Sequence, residues 1–315
     1  LNLQREAVKV RQTFIGVEVG AATLVLDVLA DTDTEVTLNI AMLELGVHAG
    51  GSLMMWYQAL AEAGEGINDT AAGDSYTVDA ARLPAANSIM MLAAHVSRHR
   101  IFTEWLDPSI TDESQPQQRD VQLNLYDAAN PNQPPYSADF LEHFGQAQIA
   151  RNRRITAWVR EKLNVIRASD SPWSEFAFTV HGTMADPRWL DPSIEPSDRK
   201  PGSCYLGDPK IVNDGPVGLA RFCTLRSWLS QWSYDDARCD AIASGGRISV
   251  PVLVVGNSAD DACTPSHTQR LYDAVTHERK HLHVVKGATH YYTGAHGAEH
   301  MAEACGVIEN FLTRQ

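Results

Sequence analysis

At 315 residues, with 44% hydrophobic and 21% charged side chains, the chain has the composition of a soluble globular protein, long enough for one large α/β domain or a core with a cap. A formal net charge of −13 leaves nothing basic enough to neutralise a phosphate backbone or an anionic bilayer, so neither nucleic acid nor membrane is expected as a partner. Five cysteines, Cys204, Cys223, Cys239, Cys263 and Cys305, show no Cys-x-x-Cys spacing, which argues against a disulfide framework and a structural zinc site and for reduced thiols in a cytoplasmic protein. There is no signal-peptide pattern and no apolar run near the ~20 residues of a membrane span. The chain begins at Leu1 rather than Met, and a leader outside this sequence is left open.

Residues 1 to 34 read as helix, on a broad apolar stripe that includes Val8, Phe14, Val17, Leu24 and Val28, closed by an Asp31-Thr32-Asp33-Thr34 turn. Glu35 should open the central strand. Leu38 to Leu45 is apolar apart from Asn39 and Glu44, as in a strand covered on both faces, while Leu53, Trp56, Tyr57 and Leu60 recur at helical spacing. Between the two lies Gly46-Val47-His48-Ala49-Gly50. A tight glycine-bracketed turn of this kind holds its central residue at the carboxyl end of a strand, beside the free N–H groups of the following helix. Here that residue is His48. Ser52, one helical turn on and on the same face, is the nearest hydroxyl, either a small packing residue bonded back to a carbonyl or a substitute nucleophile.

Gly64 to Ala86 is polar and precedes a second buried strand, Ser88 to Ala94; helix between strands suggests a parallel sheet. His95, Ser97, Arg98 and Arg100 follow that strand, near the same edge, as candidate pocket-lining residues. From His95 to Ser249 the pattern changes to prolines, six of the seven tryptophans and a strong helix from about Phe140 to Ala168, with a strand inside Phe176 to Thr183. This stretch reads as an inserted cap, whose Trp105, Trp189, Trp228, Trp232 and Tyr234 serve as cap core or as substrate contacts. The basic cluster Arg151-Asn152-Arg153-Arg154 reads as a helix surface. Trp-Leu-Asp-Pro-Ser-Ile occurs at Trp105 to Ile110 and again at Trp189 to Ile194. Asp followed by Pro is a helix-start signal, and the repeat reads as recurring turn chemistry.

The last third is the most regular: a strand over Val250 to Gly256, a helix over Ser266 to Val275, a strand over His281 to Val285 and a closing helix over His300 to Thr313. The loops between them carry Asp260, Asp261 and His290. In an open α/β sheet, loops at the carboxyl ends of parallel strands converge on one edge, so a carboxylate from one and a histidine from the next can meet over the glycine turn.

With these motifs in this order, the sequence from Leu38 to its end resembles the α/β-hydrolase superfamily: the glycine turn followed by Gly-Gly-Ser-Leu-Met-Met-Trp-Tyr-Gln, the strand and loop from Val250 to Asp260, and the Lys286 to Tyr291 turn. The resemblance implies an α/β fold with a mostly parallel sheet of α/β-hydrolase type and a large, mainly helical cap insertion. Residues 1–94 and 250–315 would form the core and 95–249 the cap. It implies hydrolysis of an ester, or a related acyl or carbon–carbon bond, in a small-molecule substrate, with no cofactor and no metal; a homo-oligomer is left open. Carried over residue by residue, Asp260 falls at the acid position with Asp261 as close competitor, His290 at the catalytic histidine, His48 at the serine nucleophile, and the N–H of Ala49 at one oxyanion donor. Asp260 is the expected partner of His290 Nδ1 because it sits nearer the strand end. His95, Ser97 and Arg98 would contact substrate. The sequence departs from the family in His48, and in having only 45 residues before Gly46 with no His-Gly-Gly type segment among them. The competing reading is a non-catalytic binding homologue. A further one is a 2-His-1-carboxylate metal site of His48, His290 and Asp260.

Overall fold

The computed structural model describes residues 9–14, 21–29, 43–47, 50–170 and 172–314. Among them a six-stranded sheet has the order β1-β2-β3-β6-β9-β10. Its strands are β1 (Lys9–Phe14), β2 (Ala21–Leu29), β3 (Leu43–Val47), β6 (Ser88–Leu92), β9 (Val252–Asn257) and β10 (Lys280–Val285). β2 runs antiparallel to both β1 and β3, whereas β3, β6, β9 and β10 are mutually parallel. Helix α1 (Gly50–Ala63) follows β3, and a small antiparallel pair, β4 (Ile67–Asp69) with β5 (Ser75–Val78), occupies the polar stretch before β6.

The amino-terminal stretch corrects the sequence reading. Where a helix is expected over residues 1 to 34, β1 and β2 pair from Lys9↔Leu29 to Phe14↔Leu24. The apolar stripe also fits a period of 2 in the sequence, at Leu24, Leu26 and Val28. β-Branched Val10, Thr13, Thr23, Val25 and Val28 favour that pleated surface over a helix. The strand expected from Glu35 is described only from Leu43 onward, and His48 and Ala49 lie outside the described residues.

Helices cover both faces of the parallel strands, which is why β6 and β9 read as continuous apolar runs. On one face Ile89, Met91, Val252 and Val254 pack with Met55 and Ala59 of α1, with Ala241 of α7 (Ala241–Gly245) and with Leu271 of α8 (Pro265–Ala274). On the other, Met90, Leu92, Leu253 and Val255 pack with Ala304 and Phe311 of α9 (Gly297–Thr313). A Cβ at Gly51 would lie 2.5 Å from the Cβ of Ala94, so glycine lets the start of α1 seat against the end of β6.

Between β6 and α7 the insertion builds its own core. Helices α2 (Arg98–Trp105) and α3 (Ala138–Ala168) pack with the antiparallel pair β7 (Ala177–Thr179) and β8 (Phe222–Thr224) around Phe102, Ile155, Val159 and Trp228. Short helices α4 (Pro187–Leu190), α5 (Pro209–Asp214) and α6 (Leu225–Ser227), with a π-helical turn at Trp228–Trp232, complete it. α7 falls within the expected 95–249 segment yet packs in the sheet layer, so the helical body of the insertion ends before Asp240. Arg151 is not on a helix surface. It is 1% exposed, donating to the carbonyls of Asp107, His181 and Gly182 and pairing with Glu113, because a planar fork of donors can satisfy converging loop carbonyls. Among the described residues no helix is long and apolar enough to cross a membrane.

Candidate functional site

The carboxyl ends of β6, β9 and β10 each release a loop, and the three loops bring titratable side chains together. After β9 the chain turns at Asn257, whose carbonyl accepts from the N–H of Asp260 at 3.2 Å. Asp260 is fully buried, and its Oδ1 accepts from the backbone N–H groups of Ala262 at 2.8 Å and Cys263 at 2.7 Å. That leaves Oδ2 facing Nδ1 of His290 at 2.8 Å. His290, 5% exposed, sits in the turn after β10, and the two loops are laced by Ala259 N–H to Ala288 O (3.0 Å) and Asn257 Nδ2 to Thr289 O (2.9 Å). Two residues on, Tyr292 takes a positive φ of 53°, a strained backbone for a tyrosine; a Cβ at Gly297 would lie 2.0 Å from its carbonyl oxygen.

An ionised carboxylate only accepts, so the contact sets the histidine tautomer: Nδ1–H donates to Asp260 and Nε2 is the basic nitrogen. The backbone carbonyl of Asp261 accepts from the indole of Trp189, in the cap, at 2.7 Å. Burial pushes the Asp261 carboxyl up to about 6, and the adjacent Asp260 charge adds to the effect.

After β6, Ala93 takes a φ of 44° and turns the chain so that His95, 1% exposed, stacks near His290 with ring centroids 6.3 Å apart. Nδ1 of His95 is 3.1 Å from Sγ of Cys263, whose thiol burial pushes well above its ordinary range, the nearby Asp260 and Asp261 adding to the shift. Tyr205, from the cap, and Tyr291 bring aromatic rings within 6.4 and 4.6 Å of His290.

Of the three expected substrate contacts, His95 stacks near His290. Ser97 is fully buried and caps α2, accepting from Arg100 N–H at 3.2 Å, which is what a serine just before a helix does. Arg98 donates to Gln231 in the π-helical turn. Trp105, Trp189 and Trp228 are buried cap core. Ser52 is fully buried in the first turn of α1, and its Oγ has no hydrogen-bond partner among the described residues, so the expected bond back to a carbonyl is not made there. The turn residues His48 and Ala49, and with them the metal set containing His48, lie outside the described residues. Sequence reasoning missed Cys263, Tyr205 and Tyr291 as neighbours of His290; for Cys263 the available signal was its place three residues after the acid.

The site stands in a mixed α/β protein with a mostly parallel sheet and a helical insertion. The fold is similar to those of a Paleococcus ferrophilus monoacylglycerol lipase (14% identity, TM-score 0.37), DcsB in complex with its substrate analogue (12%, 0.37) and VinJ (13%, 0.33). The matches cover 87%, 86% and 87% of this chain but 69%, 63% and 66% of those proteins, so the chain spans about two thirds of their length. No protein-family model matches the chain, and neither does any curated protein.

Proposed function

We propose that the chain is a hydrolase of an ester, or of a related acyl or carbon–carbon bond, in a small organic substrate, with Asp260 and His290 as its acid–base pair. The observation that carries this reading is the buried contact between Asp260 Oδ2 and His290 Nδ1 at the carboxyl edge of a parallel sheet. Asp260 orients the ring and stabilises the imidazolium; Nε2 takes a proton from the attacking group and returns it to the leaving group. By resemblance, His48 occupies the nucleophile position and the Ala49 N–H donates to the developing oxyanion. An imidazole nitrogen attacks an activated ester carbonyl and expels the alcohol or phenol. Water then hydrolyses the acyl-imidazole to the acid and restores the ring. Turnover is confined to activated esters for that reason. Tyr205 and Tyr291 beside His290 favour an apolar or aromatic substrate group.

A second reading is a small-molecule-binding homologue without turnover, favoured by the absence of any hydroxyl in Gly46 to Gly50. Hydrolysis of p-nitrophenyl acetate by the purified chain and by His290→Ala, beside calorimetry, separates the two. The hydrolase reading predicts slow turnover that falls by about 10² or more without the base. Turnover unchanged in His290→Ala contradicts it, and substrate binding with no turnover transfers the chain to the second reading.

A further inference from the structure

Cys263 has no part in the proposed reaction, yet it is 1% exposed and within reach of the acid–base pair. One donor atom each from Asp260, Cys263 and His290 lies within 4.8 Å of the others, and Nδ1 of His95 lies 3.1 Å from Cys263 Sγ. The four side chains come from the loops after β6, β9 and β10. A tetrahedral zinc ion bonded at about 2.0–2.3 Å to N, O and S donors holds them roughly 3.4–3.6 Å from one another. Two edges of such a tetrahedron are nearly in place: Asp260 Oδ2 to His290 Nδ1 at 2.8 Å, and Cys263 Sγ to His95 Nδ1 at 3.1 Å. Each needs to open by well under 1 Å, while His95, which is not among the side chains whose donor atoms all lie within 4.8 Å of one another, must close on Asp260 or His290 to complete the set.

We propose that Asp260, Cys263, His290 and His95 form a site for a thiophilic divalent cation of the zinc class, and that an ion bound there takes the Asp260–His290 pair out of acid–base service. The donor set decides the class of ion. A thiolate and two imidazoles select zinc and its neighbours, whereas magnesium and calcium require an oxygen cage that a single carboxylate does not supply. On binding, the aqua ion sheds its waters, the Cys263 thiol and His290 Nδ1 each release a proton to solvent, and metal–S, metal–O and two metal–N bonds form with no change of oxidation state. Thiolate and carboxylate then neutralise the dication, which makes its burial tolerable. The site differs from the His48 set expected from sequence in drawing on a thiol and on the loop after β6.

The test uses the full chain, stripped with chelator and titrated with cobalt(II) as a spectroscopic probe, then with zinc. The expected result is one equivalent of cobalt per chain with a thiolate-to-cobalt charge-transfer band that zinc abolishes by displacement. Cys263→Ser should lose the band and weaken zinc binding by about tenfold or more, and His95→Gln should weaken it by about 10- to 100-fold. Cys239→Ser and Cys305→Ser, which remove the half-buried and the exposed thiol, should keep the band. No uptake by the wild-type chain, or a band that survives Cys263→Ser, overturns the proposal. Should a variant fail to fold by circular dichroism, imidazole ¹⁵N shifts of the wild-type chain decide: His95 and His290 must move on adding zinc, and unmoved signals sink the idea. None of these readouts involves a substrate, so they stand apart from the hydrolase reading.

Discussion

Asp260 and Asp261 are adjacent in the chain and opposite in environment. Asp260 directs both carboxylate oxygens at donors, two backbone N–H groups and the His290 ring, while the Asp261 carboxyl is half-buried with its neighbour's charge beside it. Because folding raises the Asp261 pKa from 3.8 to about 6, the folded chain binds more protons than the unfolded one between those values. Stability attributable to this group is therefore present in full below about pH 4 and lost as pH rises through about 6. Asp261→Asn is expected to stabilise the protein by about 2 kcal/mol at pH 8 and by little at pH 4, read from urea unfolding at the two pH values. A gain that is the same at both would mean that the charge is not what costs. At this scale the sequence order of strand, acid, strand and histidine made Asp260, Asp261 and His290 visible, and distance from the strand end distinguished the two acids. Tyr205 was not visible, because its nearness to His290 arises only when a cap segment meets the loop after β10, and Cys263 was signalled only by its place three residues after the acid.

The repeated hexapeptide shows what one local sequence does twice. In both copies Asp Oδ1 accepts from the backbone N–H and hydroxyl of the serine two residues on: Asp107 from Ser109 at 3.0 and 2.6 Å, Asp191 from Ser193 at 2.9 and 2.6 Å. Oδ2 then anchors a distant segment, Arg119 and Asn213 for Asp107 and the Tyr136 N–H for Asp191. The turn chemistry recurs, but at the ends of α2 and α4 rather than at helix starts. Asp-Pro alone does not say whether a helix begins or has just closed. The misreading of the first 34 residues has a similar cause, since a stripe dense in Val and Leu satisfies helical and alternating periods at once and β1–β2 pairing decides. α1 offers a direct test of how its start seats on β6. Gly51→Ala places a Cβ 2.5 Å from that of Ala94, and neither methyl can rotate away. A loss of about 1–2 kcal/mol is expected, overpacking outweighing the gain in helix propensity. A variant as stable as the wild-type chain in thermal unfolding would show that α1 does not lie where described.

Across the whole molecule the cap is seated on the loops that carry the acid. Trp189 donates to the Asp261 carbonyl, the Asp198 N–H to the Ser258 carbonyl at 3.0 Å, and Glu195 accepts from Ser266 N–H and Oγ. The sequence announced this insertion by the long interruption between two buried strands; it did not show that α7 returns to the sheet layer, because five residues carry too little periodicity to assign. In the proposed hydrolase, such a cap would enclose the space beside His290 and limit the substrate to a small one. The central claim is that Asp260 and His290 serve as the acid–base pair of a hydrolase whose elbow position holds His48 in place of a hydroxyl. Losing one triad member removes several powers of ten in rate and leaves only a residual acceleration of about 10³ to 10⁴ over water. The most direct measurement is fluorophosphonate labelling and p-nitrophenyl ester turnover of the wild-type chain, His48→Ser, and His48→Ser combined with His290→Ala. The account predicts no labelling of the wild-type chain, a gain of labelling and turnover in His48→Ser, and loss of both in the double variant. Stoichiometric labelling of the wild-type chain at Ser52 or another serine, or a folded His48→Ser variant that gains neither activity, would contradict it.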